Sequence, residues 1–372
     1  MRILYLQDKF DVGGINRITS VKENYLVEHG FEVHNLNTAE ELIIPKESMY
    51  SDKIHFHYIY KEKRDRLLAI PIIGRLLQYI YVRFCFLRVY CKVRPDIIVS
   101  TMPTLEPLAV IYLTIWIKRI IEFQGLYCGT RIGQLSRLGK WYSLTKYRIC
   151  RIVSLTSREA KHVEELTGCH SLYVNNANYM RSDLQSQCIE KNVLIVSRLS
   201  YEKGIADFLP SWKQVEVSHP DWHLNIYGCG PEEARIRRTI QAQGLKNVKI
   251  YPYTNDIESV YLNSSIMILP SIFEGWGLTL IESMSLGVPC VAYDCPFGPS
   301  DIIRDQEDGF LAKYLDGNDM AEKINYLIEH PDIRKQMGAK ARVNVRRFDV
   351  PVIMEKWVTL FNNLKKGIFK QP

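Results

Sequence analysis

The sequence lacks the features that mark secreted, metal-binding and membrane-spanning proteins. Its nine cysteines are scattered, with no C-x-x-C pair and no histidines at zinc-ligand spacing, so neither a zinc site nor a disulfide framework is expected. The first ten residues, MRILYLQDKF, lack the apolar run of a signal peptide and predict a buried strand. No tract rich in Pro, Gly or Ser interrupts the chain. These absences favour a folded cytoplasmic protein with reduced thiols.

The positive charge of the chain is concentrated in one segment. The formal net charge is +7, and residues 61–94 alone carry nine basic and two acidic side chains. Arg interrupts the apolar and aromatic residues of this segment, which excludes a transmembrane span and fits an interfacial helix attracted to anionic lipid. The alternative is an amphipathic helix packed on a sheet, with its Arg side chains reaching solvent.

A second basic run, residues 131–151, either binds a phosphate-bearing acceptor or is solvated. Nucleic acid is not an expected partner, because no helix-turn-helix, zinc or stacking motif accompanies the charge.

The pattern of apolar runs predicts two α/β domains. At 372 residues the chain exceeds what one hydrophobic core covers. Short apolar strands alternate with helical stretches in two series, and continuous apolar strands indicate parallel sheets covered by helices. The predicted elements of the first series are strands RILYLQ, FEVHNL, DIIVST, RIIEFQ, RIVSLT and SLYVNN, with helices over residues 16–29 and 108–117.

The second series of strands contains NVLIVSR, HLNIYG, NVKIYPY, SIMILP and VPCVAYD. We place the domain boundary near residues 181–191, where the polar stretch 181–192 is expected to act as a linker. The predicted domains are therefore residues 1–185 and 186–350. Their ligands are expected beyond the carboxyl ends of the strands.

Glycines and cations follow two of the predicted strands. Gly13 and Gly14 precede the first helix, where backbone amides can approach an anion, although a Gly-Gly pair also serves as a simple tight turn. In VSRLSYEKG, Arg198 and Lys203 follow a strand and are expected to converge on one phosphate group. Solvated surface charge is the alternative for such residues.

The most informative local pattern is SIFEGWGLTLIESMSLGVPCVAYD. Glu274 and Glu282 are eight residues apart, and Gly277 lies at the start of a largely apolar helix. Amides near Gly277 and Leu278 are expected to bind a phosphate, and Glu282 to bind ribose hydroxyls. The following turn, with Gly298 and Ser300, is expected to form a wall of the same cleft.

These residues resemble glycosyltransferase family 4, the retaining enzymes with the GT-B fold of two Rossmann-like domains facing across a cleft. The motifs that carry the resemblance are Gly13-Gly14, VSRLSYEKG, IYGCGPEE, FEGWGLTLIESMSLGVPCVAYD, GPSDII and DGF. The similarity is specific over residues 190–345 and general over the first half. It is greatest to the branch that builds bacterial polysaccharides or lipid-linked oligosaccharides from UDP-galactose, UDP-N-acetylgalactosamine or UDP-N-acetylglucosamine.

The resemblance implies a role for each matching residue. Arg198 and Lys203 would bind the donor diphosphate, Glu274 the transferred sugar and Glu282 the ribose. It also implies that residues 351–372 form a helix returning to the first domain. The complete implied donor-binding set is Gly13, Gly14, Arg198, Lys203, Gly228, Tyr253, Glu274, Gly277, Leu278, Thr279 and Glu282.

One position departs from the family pattern. Where members often have a His near the reaction centre, this chain reads IIEFQG, which leaves Glu122 or Gln124 as the nearest polar group. Retention in the family is ascribed to a same-face substitution in which the leaving phosphate accepts the acceptor proton, so a protein base is not required. The absence of any D-x-D sequence agrees with cations and a helix end replacing a divalent metal. The implied catalytic residues are Glu274, Arg198, Lys203 and Glu122, with no metal and no cofactor.

The sequence thus predicts a metal-independent hexosyltransferase that moves a hexose or N-acetylhexosamine from a UDP-sugar to a saccharide acceptor. The acceptor is expected to be lipid-linked, in surface polysaccharide, lipopolysaccharide or capsule synthesis at the inner face of the cell membrane. Two alternatives stay open: a UDP-N-acetylglucosamine 2-epimerase of the same fold, and a non-catalytic nucleotide-sugar-binding partner of a membrane glycosyltransferase.

Overall fold

The structure, a computed structural model, describes residues 1–7, 14–40, 49–60, 73–101, 107–123 and 137–372. Within these ranges the chain forms two compact units. The first unit is Met1–Ala177 with Val350–Pro372, and the second unit is Asn178–Asp349.

The described strands and helices alternate along the chain. The strands are β1 (Arg2–Gln7), β2 (Glu32–Glu40), β3 (His55–Tyr60), β4 (Ile97–Ser100), β5 (Lys118–Glu122), β6 (Arg151–Ser154), β7 (Ser171–Tyr173), β8 (Asn192–Val196), β9 (His223–Tyr227), β10 (Val248–Tyr251), β11 (Ile266–Leu269), β12 (Cys290–Tyr293) and β13 (Gly309–Ala312). The helices are α1 (Gly14–Glu28), α2 (Ile73–Val93), α3 (Leu108–Leu113), α4 (Arg137–Ile149), α5 (Ser157–Thr167), α6 (Ile205–Ser218), α7 (Glu233–Ala242), α8 (Ile257–Leu262), α9 (Leu278–Ser285), α10 (Pro299–Ile302), α11 (Gly317–Glu329), α12 (Pro331–Asn344) and α13 (Val350–Lys365).

The strands of each unit form one parallel sheet. The order is β3-β2-β1-β4-β5-β6-β7 in the first unit and β10-β9-β8-β11-β12-β13 in the second. Each order winds outward in both directions from the unit's own first strand, as in the Rossmann fold. The prediction of two Rossmann-like domains built on parallel sheets is confirmed.

The direction of the connections places the helices of the first unit. The crossovers β3 to β4, β4 to β5 and β5 to β6 run the same way across the sheet, so right-handed connections put α2, α3 and α4 on one face. These helices contact one another in that order. The crossover β1 to β2 runs the other way and puts α1 on the opposite face, where α13 packs against it.

Apolar side chains fill both cores. In the first unit, Leu4 and Leu6 of β1 pack with Phe86 and Tyr90 of α2, all buried. In the second unit a core of buried apolar residues lies under α6 and α11 and includes the fully buried Trp212. The polar stretch 181–192 belongs to the second unit, where Ser186 donates to the Ser264 carbonyl at 2.8 Å.

The predicted helix over residues 108–117 was wrong in its second half. The helix ends at Leu113, and Thr114 has the extended φ of −129°. The buried guanidinium of Arg119 donates to the carbonyls of Thr114 and Ile117 at 2.8 and 2.9 Å, which stabilises a turn in place of another helical turn. Apolar residues 115 and 116 consequently face solvent.

None of the helices in the described ranges combines the length and the apolar composition needed to cross a bilayer.

Candidate active site

The loops after β8 and β11 lie side by side at the carboxyl edge of the second sheet. These strands are neighbours, and ligands of open α/β sheets bind beyond this edge. Arg198 and Lys203 follow β8, and Glu274 follows β11. The topology therefore brings into one region three residues that the sequence motifs single out.

A close backbone approach holds these two loops together. Gly204 follows Lys203 with a φ of +63°, and a Cβ atom there would lie 2.1 Å from the carbonyl oxygen of Pro270. The Ile272 amide donates to the Glu202 carbonyl at 2.9 Å. Glycine is required at position 204 because any other residue would separate the loops and move Lys203.

The turn after β9 supports the same loop. The Leu199 amide donates to the Cys229 carbonyl at 2.9 Å, and a Cβ atom on Gly228 would lie 1.9 Å from the Ser197 carbonyl oxygen. Gly228 therefore allows two backbones to come into contact. Tyr253, in the loop after β10, keeps a half-exposed ring.

Lys203 and Glu274 form an ion pair in which one carboxylate oxygen accepts two hydrogen bonds. Lys203 Nζ lies 2.6 Å from Glu274 Oε1, and the Ser271 hydroxyl donates to the same oxygen at 2.7 Å. The Glu274 side chain is 8% exposed and that of Lys203 is 18% exposed. Limited hydration strengthens the attraction, so both charged groups hold one orientation at the loop surface.

Arg198 makes a different contact from Lys203. Its side chain is 78% exposed, and its Nη2 atom lies 3.2 Å from Glu202 Oε1. Burial alone would raise the pKa of Glu202, but the Ser200 hydroxyl and the charges of Arg198 and Lys203 outweigh it and lower that pKa. Glu202 is thus an anion at neutral pH, and the Arg198 head group extends toward solvent.

Helix α9 begins beside this pair without a side-chain cap. Its N-cap residue is Gly277, with a φ of +103°, and no side chain accepts from the first turn. Leu278 and Thr279 are its first two residues, whose amides have no acceptor within the helix. Amides in this position, with the positive end of the helix dipole, can bind an anion.

Glu282 lies one turn further along α9 and is 6% exposed. The Tyr261 hydroxyl donates to Glu282 Oε2 at 2.7 Å, and the Tyr179 hydroxyl donates to Oε1. Tyr261 is itself fully buried on α8. Two phenols thus orient a carboxylate that can accept hydrogen bonds from vicinal hydroxyl groups of a ligand.

Sequence reasoning missed Ser271, Tyr179 and Tyr261. Ser271 and Glu274 are three residues apart, a spacing that the motif itself displays. Tyr179 and Glu282 are 103 residues apart, and no local pattern links them. The apolar spacing of IESVYL marks Tyr261 as a core residue but says nothing of the carboxylate that it contacts.

The turn before α10 packs against the loop that contains Glu274. Gly298 has a φ of +94°, and a Cβ atom there would lie 2.4 Å from the Trp276 carbonyl oxygen. The Trp276 ring is buried and meets Phe348 edge to face, with centroids 5.1 Å apart. Gly298 and Ser300 are therefore close in the fold to the loop before α9, where a wall was predicted.

In the first unit, Glu122 forms a buried ion pair with Lys22. It lies at the end of β5 and is 1% exposed, and the Lys22 ammonium donates to its Oε1 atom. The Lys22 Nζ atom also lies 4.6 Å from the ring centroid of Trp357 on α13. Burial lowers the pKa of Lys22, opposed by the charge and hydrogen bond of Glu122. This arrangement joins α1, β5 and α13.

Of the two glycines in the first loop, the structure describes only Gly14. Gly14 is the exposed first residue of α1, whereas Gly13 and Gln124 lie outside the described residues.

Comparison with known proteins places the second unit in a defined group. Residues 180–344 match the family model described as Glycosyl transferases group 1. An uncharacterized glycosyltransferase of Haemophilus influenzae is 30% identical over 246 residues, which cover 65% of this chain and 69% of that protein. The amylovoran biosynthesis glycosyltransferase AmsD of Erwinia amylovora is 25% identical over 94% of this chain and 96% of its own length.

The fold comparison extends over both units. The crystal structure of Anabaena Alr3699/HepE in complex with UDP and glucose has a TM-score of 0.75 with this chain. The match covers 97% of this chain and 99% of that chain, at 16% identity.

Proposed function

Because the chain belongs to the group 1 glycosyl transferases, we propose that it moves a hexose or N-acetylhexosamine from a UDP-sugar to a saccharide acceptor. The observation that carries the proposal is the Lys203–Glu274 pair beside the uncapped start of α9. The UDP and glucose bound by the Anabaena protein of the same fold support the donor class. The amylovoran pathway of AmsD supports a role in polysaccharide synthesis.

Each charged group then has a place in the reaction. Lys203, Arg198 and the first amides of α9 stabilise the charge that develops on the leaving diphosphate. Glu274 accepts hydrogen bonds from hydroxyls of the transferred sugar, and Glu282 from those of the ribose. Gly228, Gly277 and Gly298 shape the backbone around them.

The proposed mechanism retains the anomeric configuration, as in glycosyltransferase family 4. The bond between the anomeric carbon and the diphosphate oxygen breaks while the acceptor hydroxyl oxygen bonds to the same face of that carbon. The hydroxyl proton passes to the leaving phosphate, so neither a metal nor a protein base is needed. The absence of a protein base from this mechanism agrees with the buried ion pair between Glu122 and Lys22, which favours a positioning role for Glu122.

We further propose a lipid-linked acceptor at the inner face of the cell membrane. Helix α2 contains the C-terminal part of the basic segment, and its exposed side chains include Ile80, Phe84, Arg88 and Lys92. This mixture of apolar and basic groups suits an anionic lipid surface.

A ligand panel tests the donor class. In thermal shift without added metal, a UDP-sugar is expected to stabilise the protein more than GDP-, ADP- or CMP-sugars. At about 100 times its dissociation constant a ligand adds about 2.7 kcal/mol to the free energy of unfolding. The gain should be lost in Arg198→Ala and Lys203→Ala, but kept in Arg237→Ala, an exposed cation paired with Glu233. Equal stabilisation by all four nucleotides, or none, would refute the donor assignment.

Weaker ribose binding is expected when the Glu282 carboxylate is neutralised. Glu282→Gln should lower UDP affinity about tenfold, because charged hydrogen bonds to ribose hydroxyls become neutral ones. Tyr261→Phe should have a smaller effect, since the carboxylate loses one of its orienting donors. Isothermal titration with UDP and with inorganic pyrophosphate separates the two contacts. A loss of pyrophosphate affinity equal to that of UDP would contradict the ribose role.

A transferase also differs from an epimerase in its need for an acceptor. Release of UDP only when a saccharide acceptor is present is the expected result. Release without an acceptor, accompanied by an epimerised sugar, would support the isomerase alternative.

A further inference from the structure

The turn after α3 displays apolar side chains to solvent. In five consecutive residues, Tyr112 is 50% exposed, Leu113 59%, Ile115 56% and Trp116 72%. Isolated exposed apolar residues are common on proteins, but runs of them mark binding surfaces. The crossover direction puts this turn on the same face of the sheet as α2, α3 and α4. The turn directly precedes β5, so it lies at the amino edge of the sheet, whereas ligands of such sheets bind at the carboxyl edge.

Buried hydrogen bonds hold the turn in this shape. Arg119 is 4% exposed and bonds the carbonyls of Thr114 and Ile117. The buried Thr114 hydroxyl donates to the Val110 carbonyl at 2.6 Å. Ile117 packs against the core of the first unit that includes Phe86 and Tyr90. Since the fold itself orders the turn, little conformational entropy is lost when Leu113, Ile115 and Trp116 bind a partner.

Cations surround the same edge of the sheet. Arg94 precedes β4, Lys118 begins β5 and Arg151 begins β6, and all three are exposed. These strands are adjacent, so their starts lie within about 10 Å of one another. Exposed Lys92 and Arg148 add charge at the last turns of α2 and α4.

We infer that the turn 112–117 inserts into the interface of an anionic membrane, with the cations at the starts of β4, β5 and β6 binding lipid phosphates. Trp and Tyr are the side chains that favour the level of the lipid head groups, and Leu and Ile enter the acyl boundary. The charge of the edge selects anionic lipid over a neutral surface. The inference rests on the proposed membrane location and adds the turn 112–117 to the exposed side of α2 as a surface that contacts the membrane.

The test is sedimentation with vesicles of phosphatidylcholine alone or mixed with phosphatidylglycerol. The wild-type protein is expected to bind the mixed vesicles and to bind neutral vesicles more weakly, with the difference shrinking at high salt. Ile115→Ser and Trp116→Ser should each lower the partition coefficient about tenfold or more, the factor expected for one large apolar side chain. Lys118→Gln combined with Arg151→Gln should lower binding to the mixed vesicles only.

Ile189→Ser is the matched control, because Ile189 is 71% exposed but belongs to the second unit. It should bind vesicles as the wild type does. Unchanged UDP-sugar stabilisation of every variant shows that the fold and the donor site are intact, so this result is independent of the transferase proposal.

Two outcomes would overturn the inference. If Ile115→Ser and Trp116→Ser bind mixed vesicles as tightly as the wild type, another surface contacts the membrane. If the wild-type protein fails to bind but forms dimers that Trp116→Ser disperses, the turn is a protein interface, and the membrane location fails as well.

Discussion

Glu274→Gln is expected to lower the rate of sugar transfer by roughly a hundred- to a thousandfold, while UDP still binds. The substitution keeps the size of the side chain and an oxygen that can accept from Ser271, but it removes the charge that pairs with Lys203 and that is proposed to accept from the sugar hydroxyls. The measurement is UDP release in the presence of acceptor, together with a UDP titration of the same variant.

The control for this result is Glu307→Gln, a neutralised carboxylate on the surface of the same unit. Glu307 is 47% exposed and pairs with Arg304. It should transfer sugar at the wild-type rate. If Glu274→Gln loses UDP affinity in the same proportion as its rate, Glu274 maintains the loop and does not contact the sugar. If a cell that carries Glu274→Gln makes unchanged glycan, the chain is a non-catalytic partner of another transferase.

Lys22→Met is expected to lower the free energy of unfolding of the first unit by about 3–5 kcal/mol. The variant leaves the Glu122 carboxylate buried without its cation. It also removes the ammonium that lies over the ring of Trp357, which loosens α13 from α1. Hydrogen exchange of β1 and β5 in increasing urea reports this unit separately from the second one.

The double variant Lys22→Met with Glu122→Gln should regain most of the lost stability, because no unpaired charge is then buried. Lys191→Met supplies the exposed counterpart, since its pair with Asp221 is more than half exposed and contributes about 0–1 kcal/mol. The double variant also decides the role of Glu122. A stable protein that transfers sugar normally assigns it to structure, whereas a stable protein without activity assigns it to the reaction.

Glu274 and Glu122 show that a sequence motif identifies a candidate carboxylate but does not identify the side chain that pairs with it. Glu274 follows the apolar strand β11 and Glu122 is the last residue of β5, and the resemblance to the family implied a reaction role for each. The structure gives each a lysine partner, but Glu274 lies on a loop at the sheet edge, whereas Glu122 lies within the sheet and its partner is fully buried. The cation that pairs with Glu122 is buried, whereas the cation that pairs with Glu274 is partly exposed, and the burial of Lys22 depends on the packing of α1 and α13.

The same limit applies to the end of α3. The apolar stretch 108–117 is long enough for a buried helix and was predicted to form one, although its β-branched and aromatic residues are weak helix formers. A single buried arginine, which the chain supplies from β5, ends that helix at Leu113 and turns Ile115 and Trp116 outward. The consequence is an exposed apolar turn in place of a buried helical face.

The sequence by itself determined the fold class, the approximate strands and the candidate site residues. It does so because apolar periodicity and glycine positions are local properties, and because parallel strands with right-handed crossovers leave few topologies. Only the tertiary structure decided which side chains meet. Lys203 and Glu274 are 71 residues apart, Lys22 and Glu122 are 100, and Tyr179 and Glu282 are 103. Those contacts depend on the order of strands in each sheet and on which backbone segments meet at a glycine. The residues adjacent in sequence indicate neither the strand order nor the segment that a glycine will contact.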